Sequence, residues 1–420
     1  MRLSWLLLVL LLAGCATLPI PASIPPVSEA EYTAWHPYYF EYCALSEQNK
    51  KPGFGMELRG GIGGHSTIYI NGVCLKDPGG YPELRICRDD PAGNGVGISV
   101  NSHFSNAEWV GVPGHDFFFH GDLQSGQALT RAVYNETKAH AARLGLYNAI
   151  RFHDEAYEDM PPGFDRETFK YEVSIATDYA LSFGRDRYCA RVPVSAAQMH
   201  RIVDYMNGLN RPYRNGKTEY EWNVFNNNCI HVAHNALAAI GFWPEWPTGL
   251  PVPLAMFDFP VPKNEFVNIV RRANDMPIDR LLSIWRDLSA RQAVISGKGL
   301  PTRPGALATF EPMFQANAVY DIDPKLIFYD DPILGSYEDW YRQMAKDPRY
   351  TNLKADLDAF RVEYARIEAE KHPLNWWFDQ HPILRYDAQF PEFYQRYYQA
   401  IEQQEADAGS ASILLAGKGN

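Results

Sequence analysis

An α+β fold is predicted for this chain, and three observations predict it. Strand-like runs cluster around residues 65–104. Helical periodicity is strongest later, behind a capping box at Ser195. Between the two kinds of segment, His65 opens a strand after a glycine turn, Gly63-Gly64-His65-Ser66-Thr67-Ile68, and Cys229 opens a helix after a polar loop, Asn226-Asn227-Asn228-Cys229. The arrangement expected is an antiparallel sheet with a thiol at a helix N-terminus, followed by a mainly helical C-terminal region.

The elements follow in order. Residues 1–14 combine a charged start at Arg2 with an apolar run over 6–12 that is too short for a transmembrane helix. Leu12-Ala13-Gly14-Cys15 matches a bacterial lipobox, so residues 1–14 are expected to be a lipoprotein signal peptide and Cys15 its lipidated cysteine. An ordinary secretory signal with a chance cysteine is the other reading. Ala16, where an Asp would favour inner-membrane retention, resembles outer-membrane sorting towards the periplasm. Residues 15–39 are expected to be anchor and tether, kept extended by the four prolines between Pro19 and Pro26.

Residues 66–70 predict a strand and Asn71-Gly72 a hairpin turn. Residues 96–104 alternate, with Val96, Ile98 and Val100 on one face and Ser99, Asn101 and His103 on the other, which predicts a half-buried strand. Residues 111–121 predict a loop, 123–144 a helix stopped by Gly145, and 169–180 and 188–194 strands. Ser195-Ala196-Ala197-Gln198 is a capping box, with Met199, Ile202, Val203, Met206 and Leu209 at helical spacing behind it. The cysteine helix is expected over 229–240, ended by Gly241. After a Pro-rich junction at 243–262, helical patterns dominate 264–293 and 337–405. Residues 40–250 are thus expected to be the catalytic α+β domain. Residues 251–405 form a helical extension packed on it or a separate lobe, and 406–420 a flexible tail.

Composition narrows the partners. Hydrophobic residues make up 46% of 420, a globular proportion. The net charge of −11 argues against nucleic acid and against a basic membrane-binding face. Aromatics reach 14%, which fits either apolar clefts or an aromatic core. Trp376-Trp377-Phe378 is read as core in preference to a ligand platform. Of six cysteines, five remain after Cys15. If Cys229 is a free nucleophile, Cys43, Cys74, Cys87 and Cys189 are left to pair in an oxidising compartment. Cys74 with Cys87 closes a turn-rich stretch and leaves Cys43 with Cys189, although the sequence allows three connectivities.

The chemistry rests on two residues. A thiol at neutral pH is mostly protonated; a helix start and a neighbouring imidazolium raise its thiolate fraction. Asn228 is placed to cap the helix, and the helix-start amides, that of Cys229 included, are placed to hold an oxyanion. His65 is the general acid and base. Gly64 leaves space for a substrate beside its ring.

His65 first and Asn228-Cys229-Ile230-His231 later resembles the circularly permuted papain-like (NlpC-type) superfamily. The nearest likenesses are lecithin:retinol acyltransferase-like proteins, with Asn-Cys-Glu-His-Phe, and the Lnb-type lipoprotein N-acyltransferase domain, with Gly-His-Ser/Thr before Asn-Asn-Cys. The likeness covers about half of the chain, and nothing after residue 251. It implies thiol-dependent acyl transfer or amide hydrolysis through an acyl-enzyme, with no metal or organic cofactor. It also implies a third polar group on the strand after the histidine strand. His103 is the candidate for that place and Asp77 the runner-up.

Other readings stand beside these. Cys229 as a core or disulfide cysteine and His65 as a structural strand-end histidine are the bland ones. Cys229-x-His231-x-x-His234 suggests a metal site, but positions two apart on a helix point about 200° apart, so one face cannot hold all three. His231 is expected to support the helix. His115, Asp116 and His120 either line a cleft or lie on the surface. Three substrate classes compete: a peptidoglycan peptide, a lipid or lipoprotein acyl group, and none, the chain then being an inactive envelope scaffold.

Overall fold

The computed structural model describes residues 15–18, 28–51, 64–88, 95–255, 261–311, 316–321, 326–329 and 336–417. Its central sheet has six strands: β1 (Tyr39–Leu45), β2 (His65–Asn71), β3 (Val96–Ser99), β4 (Val110–Pro113), β5 (Arg187–Pro193) and β6 (Leu307–Glu311). They run β6-β5-β1-β2-β3-β4 across the sheet, and every neighbouring pair is antiparallel. With the helices around it, the chain is α+β. The helices that bear on the site are α1 (Glu29–Trp35), α2 (His115–His120), α3 (Arg131–Arg143), α4 (Arg166–Ser174), α5 (Ala196–Asn210), α6 (Cys229–Ala239) and α7 (Pro262–Asn274). Two long helices, α8 (Leu353–Ala369) and α9 (Phe390–Gly417), pack on each other further along.

The middle of the sheet is buried on both faces. Every residue of β1 and of β5 is buried, because α7 packs against both strands. Strands covered in this way lose the in–out alternation of a half-exposed strand. Burial brings charge inside, and the charge is paired. Glu41 on β1 accepts from Arg191 Nε on β5 at 2.8 Å and lies 3.2 Å from His115 Nε2. His115 Nδ1 in turn lies 2.9 Å from Glu29 on α1. Burial opposes the charge on Glu41, yet Arg191 and His115 bring its pKa down to about 2. Lost pairing here would leave a buried charge uncompensated, which is far costlier than the pair is stabilising.

Two disulfides brace this frame. Cys43 pairs with Cys189 as direct partners across β1 and β5, and Cys74 pairs with Cys87. The first closes a separation of 146 residues and the second one of 13. On chain entropy alone they are worth about 5 and about 3 kcal/mol. Cys229 is free and buried.

Several expectations are corrected. Residues 169–180 are not a strand: Asp165 caps α4 by accepting from Thr168 N at 2.9 Å, and Phe169 and Val173 share its buried face. The loop at 111–121 holds β4 and α2. The helix at 123–144 begins only at Arg131, since Gly126 takes φ +78° and Thr130 is the cap. The strand at 96–104 ends at Ser99. The tail from 406 continues α9 to Gly417, helped by its alanines. The tether does not run to 39: α1 begins at Glu29 and buries Tyr32, whose hydroxyl donates to the Gly305 carbonyl at 2.8 Å. Residues 15–18 pair antiparallel with 326–329. The signal peptide and Pro19–Pro26 lie outside the described residues, and no described helix is long and apolar enough to cross a membrane. Beyond residue 250, β6 extends the central sheet and α7 packs on it.

Candidate active site

The site forms at one end of the sheet, where Arg187, Leu45 and His65 make the last rung across β5, β1 and β2. His65 is the first residue of β2. Gly64 before it takes φ +79°, and a Cβ there would collide with the Leu45 carbonyl and with Lys263 Nζ. Only glycine fits such a backbone and such an approach.

The cysteine loop uses each of its asparagines. Asn227 and Asn223 exchange backbone hydrogen bonds of 2.8 and 3.0 Å, and Asn226 Nδ2 donates to the Leu250 carbonyl at 2.6 Å. Asn228 caps α6, its Oδ1 accepting from Ile230 N at 2.8 Å and from His231 N at 3.3 Å. Those two helix-start donors are thereby occupied. The Cys229 amide, by contrast, finds no acceptor among the described residues and points its favourable field at its own sulfur. α6 packs against β2, which brings the thiol to the histidine: Cys229 Sγ lies 3.9 Å from His65 Nδ1.

The pair is neutral at rest. Cys229 is 9% exposed, and burial pushes its thiol pKa up, against a downward pull from Ser66 and from the Cys229 and Ile230 amides. Burial, reinforced by Arg185 and Lys263, drives His65 down to about 3, while the Thr177 carbonyl pulls it up. Burial thus opposes the charged form of both groups. The helix start does favour the thiolate, but desolvation of both groups outweighs it.

His103 does not orient His65. Its amide donates to Asn101 Oδ1 at 3.2 Å, its carbonyl accepts from His153, and its ring packs on Phe152 with Nδ1 unpartnered. It borders an open cavity of about 370 Å³ with His153, Glu221 and Trp222. Asp77 is exposed in the turn closed by Cys74 and Cys87. The Thr177 carbonyl raises the pKa of His65, but His65 Nε2 is buried without a hydrogen-bond partner. Ser99 and Asn101 hold the fully buried Asp178 at 2.7 and 3.1 Å, and Ser99 also donates to the Thr177 carbonyl at 3.3 Å. The turn is strained: Ala176 and Ala180 take φ +61° and +53°. Such non-glycine strain persists only where surroundings impose it, and it gathers at functional sites.

His231 is buried with Nδ1 unpartnered, its pKa brought down by burial to about 4. His234 is locked as structure. Its ring stacks between Trp243 and Trp246, with Nδ1 2.8 Å from Glu265 Oε1 and Nε2 3.0 Å from the Pro244 carbonyl. The donor groups among the described residues with metal-like spacing are Glu29-His115-Asp116 and Glu41-Cys43-Cys189. His115 is already shared by two carboxylates, and the two cysteines of the second group are disulfide-bonded.

The sequence reading missed Arg185, Lys263, Glu265 and the Thr177 carbonyl. Pro262-Lys263-Asn264-Glu265 resembles any proline-led helix start, and a backbone carbonyl has no side-chain signature. Comparison with protein-family models, with curated proteins and with solved structures finds no match for this chain.

Proposed function

We propose that the chain is a thiol-dependent acyltransferase or amide hydrolase with Cys229 as nucleophile and His65 as general acid and base, on a circularly permuted papain-like domain. The observation that carries this reading is the 3.9 Å approach of the free Cys229 thiol, at a capped helix start, to a strand-end imidazole. The order of histidine strand before cysteine helix also supports it.

The step suits a neutral pair. His65 Nδ1 takes the thiol proton as Sγ bonds to the substrate carbonyl carbon. The Cys229 amide is free to donate to the oxyanion that forms. His65 returns the proton to the leaving amine or alcohol as its bond to the carbonyl breaks. Water or a second amine then takes the acyl group, its proton passing through His65 back to the thiol. The substrates proposed are a cell-wall peptide or a lipid or lipoprotein acyl group, met from a lipid anchor at Cys15 in the periplasm. The near-complete burial of Cys229 favours a second reading, an inactive papain-like scaffold.

Alkylation separates the two. The full chain carrying Cys15→Ser is labelled with a small thiol reagent at roughly neutral pH, beside Cys229→Ser and His65→Ala. Labelling confined to Cys229 and slowed by at least about tenfold in His65→Ala is expected. Labelling indifferent to His65 would retire the enzyme reading.

A further inference from the structure

The end of the sheet away from the candidate active site holds a cavity of about 490 Å³. Pro37, just before β1, and Pro193 and Val194, at the end of β5, border it. His65 stands beside Leu45 and Arg187 at the opposite ends of those strands. Each strand is seven residues long, so about 20 Å of sheet separates the two places. Trp35 of α1, Leu357 of α8 and Leu300 before β6 give the cavity apolar walls.

Arg303 borders the same cavity and is 6% exposed. Its Nη1 donates to the Leu300 carbonyl and, at 2.8 Å, to the Thr302 carbonyl. Its Nε and Nη2 are buried with no hydrogen-bond partner. Those two groups share one edge of the guanidinium plane and direct their hydrogens in parallel, the geometry that the two oxygens of a carboxylate match. Arg191 is ion-paired with Glu41 and Arg187 with Glu311, whereas no acid among the described residues pairs with Arg303. Burial brings its pKa down to about 10, Tyr364 pulls it up and Arg272 pulls it further down, so the group stays charged at neutral pH. Asp407, which also borders the cavity, is exposed and accepts from Gln403 at 2.9 Å. A buried charge without a counter-charge is expensive, and a ligand of opposite sign relieves that cost. A concave site with apolar walls and one placed charged group has the form of a small-molecule pocket.

We propose that this cavity binds a small amphiphile with an apolar body and a single oxyanion head, a carboxylate in preference to a phosphate, and that Arg303 holds the head through its Nε–Nη2 edge. The site is separate from Cys229 and does not depend on the acyl-enzyme reading.

Isothermal titration calorimetry on the full chain carrying Cys15→Ser tests this, with octanoate, octanamide and octyl phosphate as probes. Octanoate should bind at least about tenfold more tightly than its neutral analogue octanamide. Arg303→Met should bring octanoate down to the octanamide level, and Arg303→Lys should keep part of the difference. Ala400→Phe, which narrows the cavity from α9, should weaken both probes together. If Arg303→Met fails to fold, the wild-type ratio and Ala400→Phe decide. Equal affinity for octanoate and octanamide in the wild type overturns the site, as does a preference that survives Arg303→Met or binding that ignores Ala400→Phe. Cys229→Ser should bind octanoate unchanged; lost binding there would move the ligand to the candidate active site and overturn the proposal. Tighter binding of octanoate than of octyl phosphate assigns a carboxylate head and the reverse a phosphate head; binding of neither overturns it.

Discussion

At the scale of the residue, protonation is decided by burial more than by the neighbours that sequence reveals. Cys229 and His65 sit 3.9 Å apart, yet each is held in its neutral form. A neutral pair and a thiolate–imidazolium pair carry the same number of protons, so the pH profile of alkylation cannot tell them apart. Both give a plateau between an acid limb governed by His65, with its pKa near 3, and an alkaline limb above the ordinary thiol range. Thiolate absorption in the far ultraviolet can. The resting protein at neutral pH should lose no such absorption when Cys229 is alkylated, while the rate stays on its plateau; a clear loss would establish a preformed ion pair. The sign for stability follows from the same burial. Because the folded pKa of His65 lies below its unfolded value, its contribution is fully present above pH 6.5 and is lost as pH falls towards about 3.

At the scale of the element, the cysteine helix was legible because its start is chemically marked. Asn228 is an N-cap by residue type and by geometry, accepting from two amides. Its Nδ2 also donates to the Val224 carbonyl at 2.6 Å, which ties the preceding turn to the helix. Asn228→Ala should therefore lower stability by about 1 to 2 kcal/mol in urea denaturation. It should also slow alkylation of Cys229 by loosening the helix start. An unchanged midpoint would mean that water replaces both bonds without cost. The helix at 166–174 shows the opposite case. Phe169, Tyr171 and Val173 alternate like a strand, while Phe169 and Val173 also satisfy helical spacing at i and i+4. The Asp165 cap, a local signal that outweighed the alternation, decides between them.

At the scale of the molecule, the site is assembled from both halves of the chain. β6 pairs with β5, α7 covers the sheet, Glu265 fixes His234 of the cysteine helix, and Lys263 reaches the end of β2. Truncation after residue 250 would strip β5 of a neighbour and leave the buried faces of β1 and β5 uncovered. A chain ending there should lack a cooperative unfolding transition by circular dichroism and should label at Cys229 no faster than free cysteine. A folded truncation with wild-type labelling would restore the boundary expected from the sequence.

The sequence by itself determined what is local: the α+β class, the capping box at Ser195 and the turns, and a histidine and a cysteine each placed by the few residues around it. Those signals are written in neighbours along the chain, where backbone geometry and side-chain type suffice. Only the tertiary structure decided what is buried. It decided that burial opposes charge on both His65 and Cys229, that His103 lies away from the His65 ring against Phe152, and that Lys263 reaches the start of β2 from a distant helix. Desolvation depends on everything packed around a group. Residues 48, 185 and 263 meet at one sheet end only because strands and a helix far apart in sequence converge there.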